Sequence, residues 1–422
     1  MAIALNKSPR GSKTICVPMF NEQEYQVMVD SPEHFRQYID EMRQEHPEIF
    51  PKGMEKGYSL YGVIKSSKLG LKIRRIQLKA TKQIYQVRPS LAMPYMIGKT
   101  EELEKPLYLR RFGVPYEALA YVFGKDPMYW YRALTAFGRF SLLGTTVKDS
   151  LEMPVHLVAD EKHSWLSGER VYLPTTAAKG CILGVEVVKN CDAQSLTQGY
   201  QTFRDEALNI NPDYQAITVN TDGWEATQQA WLTLFPQISL IACFLHWVLS
   251  IQRRCRRNQL LLSELTARLW KTYKASTKGQ FAQRLRRLLE WGEKSVELDS
   301  IKEKLRSLKN KSSQLKIAYE LPGCYRTSNQ IDRLMNYQDR ILDDMQYFHG
   351  TIEAARLQMR AHALLWNFHP YGRRKLDGGS DFRSPFEALN GFSFNINWLH
   401  NLLLAGSLNG YRTVPPPCYK SD

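Results

Sequence analysis

The chain has no CxxC pair, and its seven cysteines (Cys16, Cys181, Cys191, Cys243, Cys255, Cys324 and Cys418) are odd in number and scattered. That distribution argues against a zinc ribbon or a disulfide framework and fits a reducing compartment. No stretch approaches the ~20 consecutive apolar residues that span a bilayer. The opening MAIALNKSPRGSK lacks the long apolar core of a secretion signal, so the expectation is a cytoplasmic protein with no membrane partner and with access to the nucleoid. Internal repeats and low-complexity tracts are also missing. Acidic residues are the scarcer charge: 42 Asp and Glu face 57 Lys and Arg, for a net charge of +15. This balance favours a polyanionic partner through counterion release, with nucleic acid the first candidate. A merely basic soluble protein has the same arithmetic, so motifs must decide.

What is present is core-forming material. Hydrophobic residues are 43% of the 422, enough for packed cores in two to four domains of ~100–200 residues each. Within residues 14 to 60 the run SPEHFRQYIDEMRQEHPEIF reads as a helix started by Ser31, Pro32 and Glu33. GLKIRRIQLKATKQIYQVRP then alternates apolar and basic residues (Ile73, Ile76, Leu78, then Ile84, Tyr85, Val87), the pattern of a basic hairpin. Such a hairpin either lies on a phosphate backbone or is a solvated sheet face. Residues 101 to 141 hold two apolar helical patterns separated by Gly124, Lys125 and Asp126, with Pro127 suited to a first helical turn. Two readings fit this outline. One is a DNA-binding helix-turn-helix whose second helix, with Tyr129, Trp130, Tyr131 and Arg132, enters a major groove; the other is an ordinary helical hairpin with core aromatics.

From Met153 the pattern becomes β-rich: VHLVAD, ERVYLPTTA and GCILGVEVV read as three short strands in an antiparallel start. A helical stretch from Leu196 to Leu208, a strand AITVNTD, a helix EATQQAWLTLF and a strand ISLIACF running into HWVLSIQRRCRR complete a β-β-β-α-β-α-β-α order. Residues 256 to 318 are helical in pattern and basic, with no strand signal, and look like an insertion. Two further helices follow, around RTSNQIDRLMNYQDRILDDMQ and AARLQMRAHALLWNF. The last segment is rich in Gly, Asn and Pro, is expected to carry less structure, and ends in PPPCYKSD, expected to be disordered.

Asp160 ends the first strand of the β-rich block and Asp222 ends the fourth, in VNTDGW. If those strands are neighbours, both carboxylates leave one edge of the sheet, where two unpaired acids repel unless a metal neutralises them. Hard oxygen ligands suit Mg²⁺ or Mn²⁺, and two such ions support phosphoryl transfer. A third carboxylate from a later helix completes the set. Asp332, in the first turn after the polar start Thr327 to Asn329, is the choice, with Glu320 in reserve. Each aspartate alone is more often a turn former than a ligand; the combination is what informs. Glu161 should face away from Asp160 by strand alternation. Trp224 either stacks on a base or is core. Cys243 and His246 are spaced like half a zinc finger without a second pair. The bland alternative has Cys243 packed as a small apolar residue and His246 capping a helix that begins at Trp247. Arg253, Arg254, Arg256 and Arg257 form a basic cluster that either reaches DNA at the active edge or is a solvated face.

These motifs, VADEKH with Asp160, NTDGW with Asp222, CFLH from Cys243 to His246, and RTSNQID ending at Asp332, resemble the bacterial insertion-sequence DDE transposases related to the Mutator-like branch. The resemblance covers roughly residues 150 to 375 well and the N-terminal region more loosely. It implies an α/β ribonuclease-H-like catalytic domain on a mixed five-stranded sheet. It also implies an α-helical insertion before the third acid and an N-terminal α+β and helix-turn-helix DNA-binding region. The division expected is 1–100 α+β, 101–150 helix-turn-helix-like, 151–255 first part of the catalytic core, 256–318 insertion, 319–375 last core helices and 376–422 C-terminal tail. By resemblance, Asp160, Asp222 and Asp332 are catalytic and hold two Mg²⁺ or Mn²⁺ ions, and Cys243 and His246 lie beside the centre. Arg132, Arg253, Arg254, Arg256 and Arg257 would bind DNA. The activity implied is metal-dependent cleavage and joining at transposon ends. Its partners would be double-stranded terminal inverted repeats and target DNA, acted on by at least a dimer. One departure stands out: the family pattern is similar to TNNxxE, whereas this chain reads TSNQID, with Asp for Glu. A domesticated or inactive transposase acting as a DNA-binding regulator is the alternative, and a ribonuclease or junction nuclease of the same fold is a third.

Overall fold

The alternating segments become two separate mixed sheets, one of four strands and one of five, in a computed structural model that describes residues 11–67, 69–255 and 258–411. The first sheet is built from β1 (Thr14–Val17), β2 (Tyr58–Ser66), β3 (Leu71–Leu78) and β4 (Ile84–Pro89), ordered β1-β4-β3-β2. β1 runs parallel to β4 and the other pairs are antiparallel. Helices α1 (Glu22–Asp30) and α2 (Pro32–Glu45) precede β2, and α2 starts as the sequence suggests, with Ser31 Oγ accepting the His34 N–H. Phe35 and Ile39 of α2 pack with Ile73, Ile76 and Val87 in one core. Two of the basic residues of the hairpin are engaged by α1, while Lys79 and Lys82 are exposed. Lys72 Nζ lies 2.6 Å from Asp30, and buried Arg74 donates to the Val29 carbonyl at the end of α1.

Next come α3 (Thr100–Arg110), α4 (Tyr116–Phe123) and α5 (Pro127–Thr135). The expected helix–turn–helix outline is present in α4 and α5, with Asp126 capping α5 through the Met128 N–H at 2.8 Å. Trp130, however, is not available to a groove. It is 2% exposed and shares a buried face with Ala133 and Leu134, the i, i+3, i+4 spacing of a core stripe. Arg132 lies on the exposed side of the same helix. A short helix, α6 (Leu142–Thr146), leads to the second sheet.

That sheet contains β5 (His156–Leu166), β6 (Glu169–Ala178) and β7 (Cys181–Val185) as an antiparallel meander. Then follow α7 (Ala193–Ile210), β8 (Thr218–Thr221), α8 (Glu225–Leu234), β9 (Ser239–Ala242) and α9 (Phe244–Arg254). The strand order is β7-β6-β5-β8-β9, with β8 parallel to both β5 and β9. Leu157, Val158 and Ala159 on β5 are consecutive buried residues, as expected of a central strand covered on both faces. Contrary to expectation, Asp160 does not end this strand, because residues 160 to 166 continue pairing with β6 as far as Leu166↔Glu169. The ladder to β8 does stop there, its last pair being Val158↔Asn220.

The basic segment forms α10 (Gln259–Tyr273), α11 (Lys278–Ser295), α12 (Asp299–Asn310) and α13 (Ser312–Ile317), with no strand among its described residues. With α9 these helices enclose their own core, including Phe244, Val248, Leu269, Phe281 and Leu305. Then α14 (Asn329–Asp344) crosses β5 and β6, held by Lys162–Asp339 at 2.8 Å and by Gln338 Nε2 donating to Thr175 Oγ1 at 3.1 Å. The remaining helices are α15 (Ile352–Phe368), α16 (Arg373–Asp377), α17 (Pro385–Asn390) and α18 (Trp398–Ala405). The segment expected to carry little structure is therefore an integral part of the core. Every residue of α18 is buried, and Ser407 Oγ accepts the Cys16 N–H at 2.9 Å while donating to the Ile49 carbonyl at 2.6 Å. Its Asn and Ser residues cap short helices: Asn397 on α18 and Ser384 on α17. PPPCYKSD, Arg256 and Arg257 lie outside the described residues. Among the described residues, no helix is long and apolar enough to cross a membrane.

Candidate active site

Two neighbouring parallel strands deliver the first two carboxylates. Continuing the Val158↔Asn220 register by two residues sets Asp160 beside Asp222, just beyond the end of the β5–β8 ladder. Gly223, with φ +96°, turns the chain sharply after Asp222 into a conformation that a side-chain-bearing residue adopts only with strain. One oxygen of each acid is held by a nearby backbone amide. Asp222 Oδ1 accepts the Trp224 N–H and Asp160 Oδ1 the Glu161 N–H, both at 2.8 Å. The Oδ2 atoms have no hydrogen bond among the described residues, and both side chains are half-buried. Asp222 is thus a turn former that keeps one carboxylate oxygen open.

Helix α14 brings the third. Asp160 and Lys162 share a face of β5. Asp332 and Asp339, seven residues apart, share a face of α14; the Lys162–Asp339 pair ties that face to β5, and Asp332 lies within electrostatic reach of Asp160. The loop entering α14 is tied down residue by residue. Asn220 Nδ2 donates to the Tyr325 carbonyl (3.0 Å), the Phe244 N–H to the Arg326 carbonyl (3.3 Å), and the Ser328 N–H to Cys243 Sγ (3.1 Å). Ser328 Oγ then donates to Asp332, at 3.2 and 3.3 Å from its two carboxylate oxygens. Glu320, the reserve candidate, points elsewhere: it pairs with Lys278 at 2.6 Å and is half-exposed.

The electrostatics bind these groups into one cluster. Asp160 is pushed up to about 6, first by burial and then by the charge of Asp222, against the Glu161 N–H and the charge of His246, with Asp332 adding to the rise. Asp332 is also raised by burial, opposed by Ser328 and His246. His246 is raised to about 9, chiefly by the sulfur of Cys243 and, against burial, by Asp160 and Asp222. The imidazole of the CFLH motif therefore sits within electrostatic reach of all three acids. Burial would raise Cys243, but His246 and Ser328 outweigh it and its pKa falls. The helix after β9 begins at Phe244, so His246 is inside its first turn rather than capping it. None of the three acids forms an ion pair among the described residues, and no three His, Cys, Asp or Glu side chains there stand close enough to form a ready-made metal cage. The donors are hard oxygens, half-open and mutually repelling, which is the chemistry that Mg²⁺ and Mn²⁺ relieve. On donor type the residues fit such ions.

Glu161 faces the other side of β5, as alternation requires. Tyr200 Oη on α7 and Thr227 Oγ1 on α8 both donate to its Oε1, at 2.6 and 2.8 Å. Burial pushes its pKa up to about 7, the two hydroxyls opposing. Sequence reasoning did not single out Tyr200 or Thr227, since each is one polar residue within an amphipathic helix. It also passed over Ser328 as a partner of Cys243. Trp224 is 38% exposed rather than core, leaving an aromatic face beside Asp222. Arg253 and Arg254 are exposed at the end of α9; Arg253 follows His246 by seven residues, two turns and ~10 Å along the same helix face. The chain matches no model of a known protein family and no curated protein.

Proposed function

We propose that this chain is a DNA transposase of the DDE type, cutting and joining DNA with Asp160, Asp222 and Asp332. The observation that carries the reading is that two adjacent parallel strands and one crossing helix bring these three acids within electrostatic reach of His246. The sheet order β7-β6-β5-β8-β9, antiparallel for three strands and then parallel, supports a ribonuclease-H-like domain. The four helices α10–α13 stand where the resemblance expects an insertion.

Bound by these carboxylates, Mg²⁺ or Mn²⁺ would acidify an attacking oxygen and stabilise the leaving one. Asp160 and Asp222 would hold the ions through their free Oδ2 atoms, and Asp332 would complete the set. In cleavage, a water oxygen attacks phosphorus and the 3′ oxygen leaves as a hydroxyl; in joining, that 3′ hydroxyl loses its proton and attacks a target phosphate, whose own bond to the target 3′ oxygen breaks, that oxygen leaving as a hydroxyl. No covalent bond to the protein is required. Arg253 and Arg254, with Arg132 on α5, are available for backbone phosphates. The exposed ring of Trp224 is available to stack on a base. Pairing of two DNA ends calls for at least a dimer.

The test is cleavage and joining of labelled DNA carrying the terminal repeats of the encoding element, in Mg²⁺, Mn²⁺ or EDTA. Metal-dependent joining supports the transposase. The second reading, a DNA-binding regulator, draws on Asp332 standing where the resembled pattern has Glu; binding of the ends without cleavage in either metal would favour it.

A further inference from the structure

The geometry points to Cys243 as a positioning residue that sets Asp332 through Ser328. This rests on the proposed carboxylate site and adds how its third member is held. Cys243 follows directly on β9, and its N–H donates to the Thr221 carbonyl at 2.8 Å, so its place is fixed by β8, one residue from Asp222. Its sulfur accepts the Ser328 N–H at 3.1 Å and faces Ser328 Oγ at 3.2 Å. The Ser328 hydroxyl passes the constraint on to both oxygens of Asp332. Ser328 is 1% exposed and precedes α14, yet its hydroxyl caps no N–H of that helix. A serine at this position ordinarily spends its oxygen on the helix end; here it is given to the carboxylate.

A thiol suits the middle of this relay. It accepts one hydrogen bond and donates another at distances beyond 3 Å, and burying it costs less than burying a hydroxyl. The consequence is that Asp332, on a helix reached only after the α10–α13 segment, takes its position from the strands that carry Asp222.

The experiment is Mn²⁺ binding to the full chain, read by electron paramagnetic resonance, with thermal melts confirming folding. Cys243→Ala and Ser328→Ala should each weaken Mn²⁺ binding by about tenfold or more, the scale on which outer partners of metal ligands act, and Cys243→Ser should restore it to within about threefold. Combining Cys243→Ala with Asp332→Ala should weaken binding no further than Asp332→Ala alone, whereas a merely structural cysteine would add its own loss. If Cys243→Ala does not fold, Ser328→Ala, which keeps the thiol, carries the test. Normal Mn²⁺ affinity in Cys243→Ala and Ser328→Ala, with weakened binding in Asp332→Ala, overturns the positioning role and leaves the site standing. Normal affinity in Asp332→Ala overturns both.

Discussion

Cys243 Sγ lies 3.2 Å from Ser328 Oγ across 85 residues of sequence. Between them the chain forms α9 to α13 around a core of their own and returns to the same end of the five-stranded sheet. The two residues pin both ends of that excursion, so a long helical segment enters the chain without loosening the carboxylates on either side of it.

The choice between Asp332 and Glu320 as third acid is settled by paired variants. Glu320 is half-exposed and joined to Lys278, an arrangement worth up to ~1 kcal/mol. Glu320→Ala should therefore leave metal-dependent DNA cleavage within about twofold of wild type and stability within that ~1 kcal/mol. Asp332→Ala should lower cleavage by about 1000-fold, the equivalent of ~4 kcal/mol in the transition state. A large loss in Glu320→Ala, with Asp332→Ala active, would reverse the assignment.

Helix α5 places a packing residue and an exposed cation two residues apart, on opposite sides of the helix. Trp130→Ala removes a buried ring and should cost about 3–5 kcal/mol in a chemical melt. Arg132→Ala, on the exposed side, should leave the melt unchanged, weaken DNA binding irrespective of sequence, and reduce the slope of log affinity against log salt by about one. An unchanged slope would remove Arg132 from the DNA contacts.

The strands and most helices were legible because their signals are local. Ser31 and Pro32 start α2, and the apolar runs from 153 to 242 become β5 to β9 in the expected order. The neighbouring placement of Asp160 and Asp222 was legible from the apolar runs that precede them, although β5 continues past Asp160, since strand pairing with β6 has no mark in the residues of β5 themselves. Trp130 carried no sign of its burial beyond its spacing from Ala133 and Leu134. The last helices were illegible for a different reason: α16 and α17 span 5 and 6 residues, too short to show a period, and α18 is buried on every side, so it shows no polar face. Tyr200 and Thr227 reach Glu161 only through the packing of α7 and α8 on the sheet, and the Cys243–Ser328 bond only through the return of a distant segment.

Acid should expose two buried histidines. Burial holds His369 at about 4, with Arg111 lowering it further, and His400 at about 4, with Ser90 opposing. Their folded pKa values lie below the ordinary 6.5, so the neutral rings favour the fold. The stability they carry is complete above pH ~6.5 and lost as the pH falls toward ~4, at most ~3 kcal/mol for each ring. The stability gap between wild type and His400→Gln should therefore narrow over that window. Titration of Asp160 and Glu161 is common to both proteins and cancels in the comparison. A gap that stays constant from pH 7 to pH 4 would contradict the buried neutral ring.

The most direct test of the central claim is strand cleavage by Asp222→Ala compared with wild type, in Mn²⁺, at protein concentrations that give equal occupancy of the end DNA. The account predicts normal DNA affinity, because an acid contributes no attraction to the phosphate backbone, together with cleavage reduced by about 1000-fold or more. Asp222→Ala that binds and cleaves like wild type would show that the carboxylate just beyond the β5–β8 ladder is a turn former and nothing more.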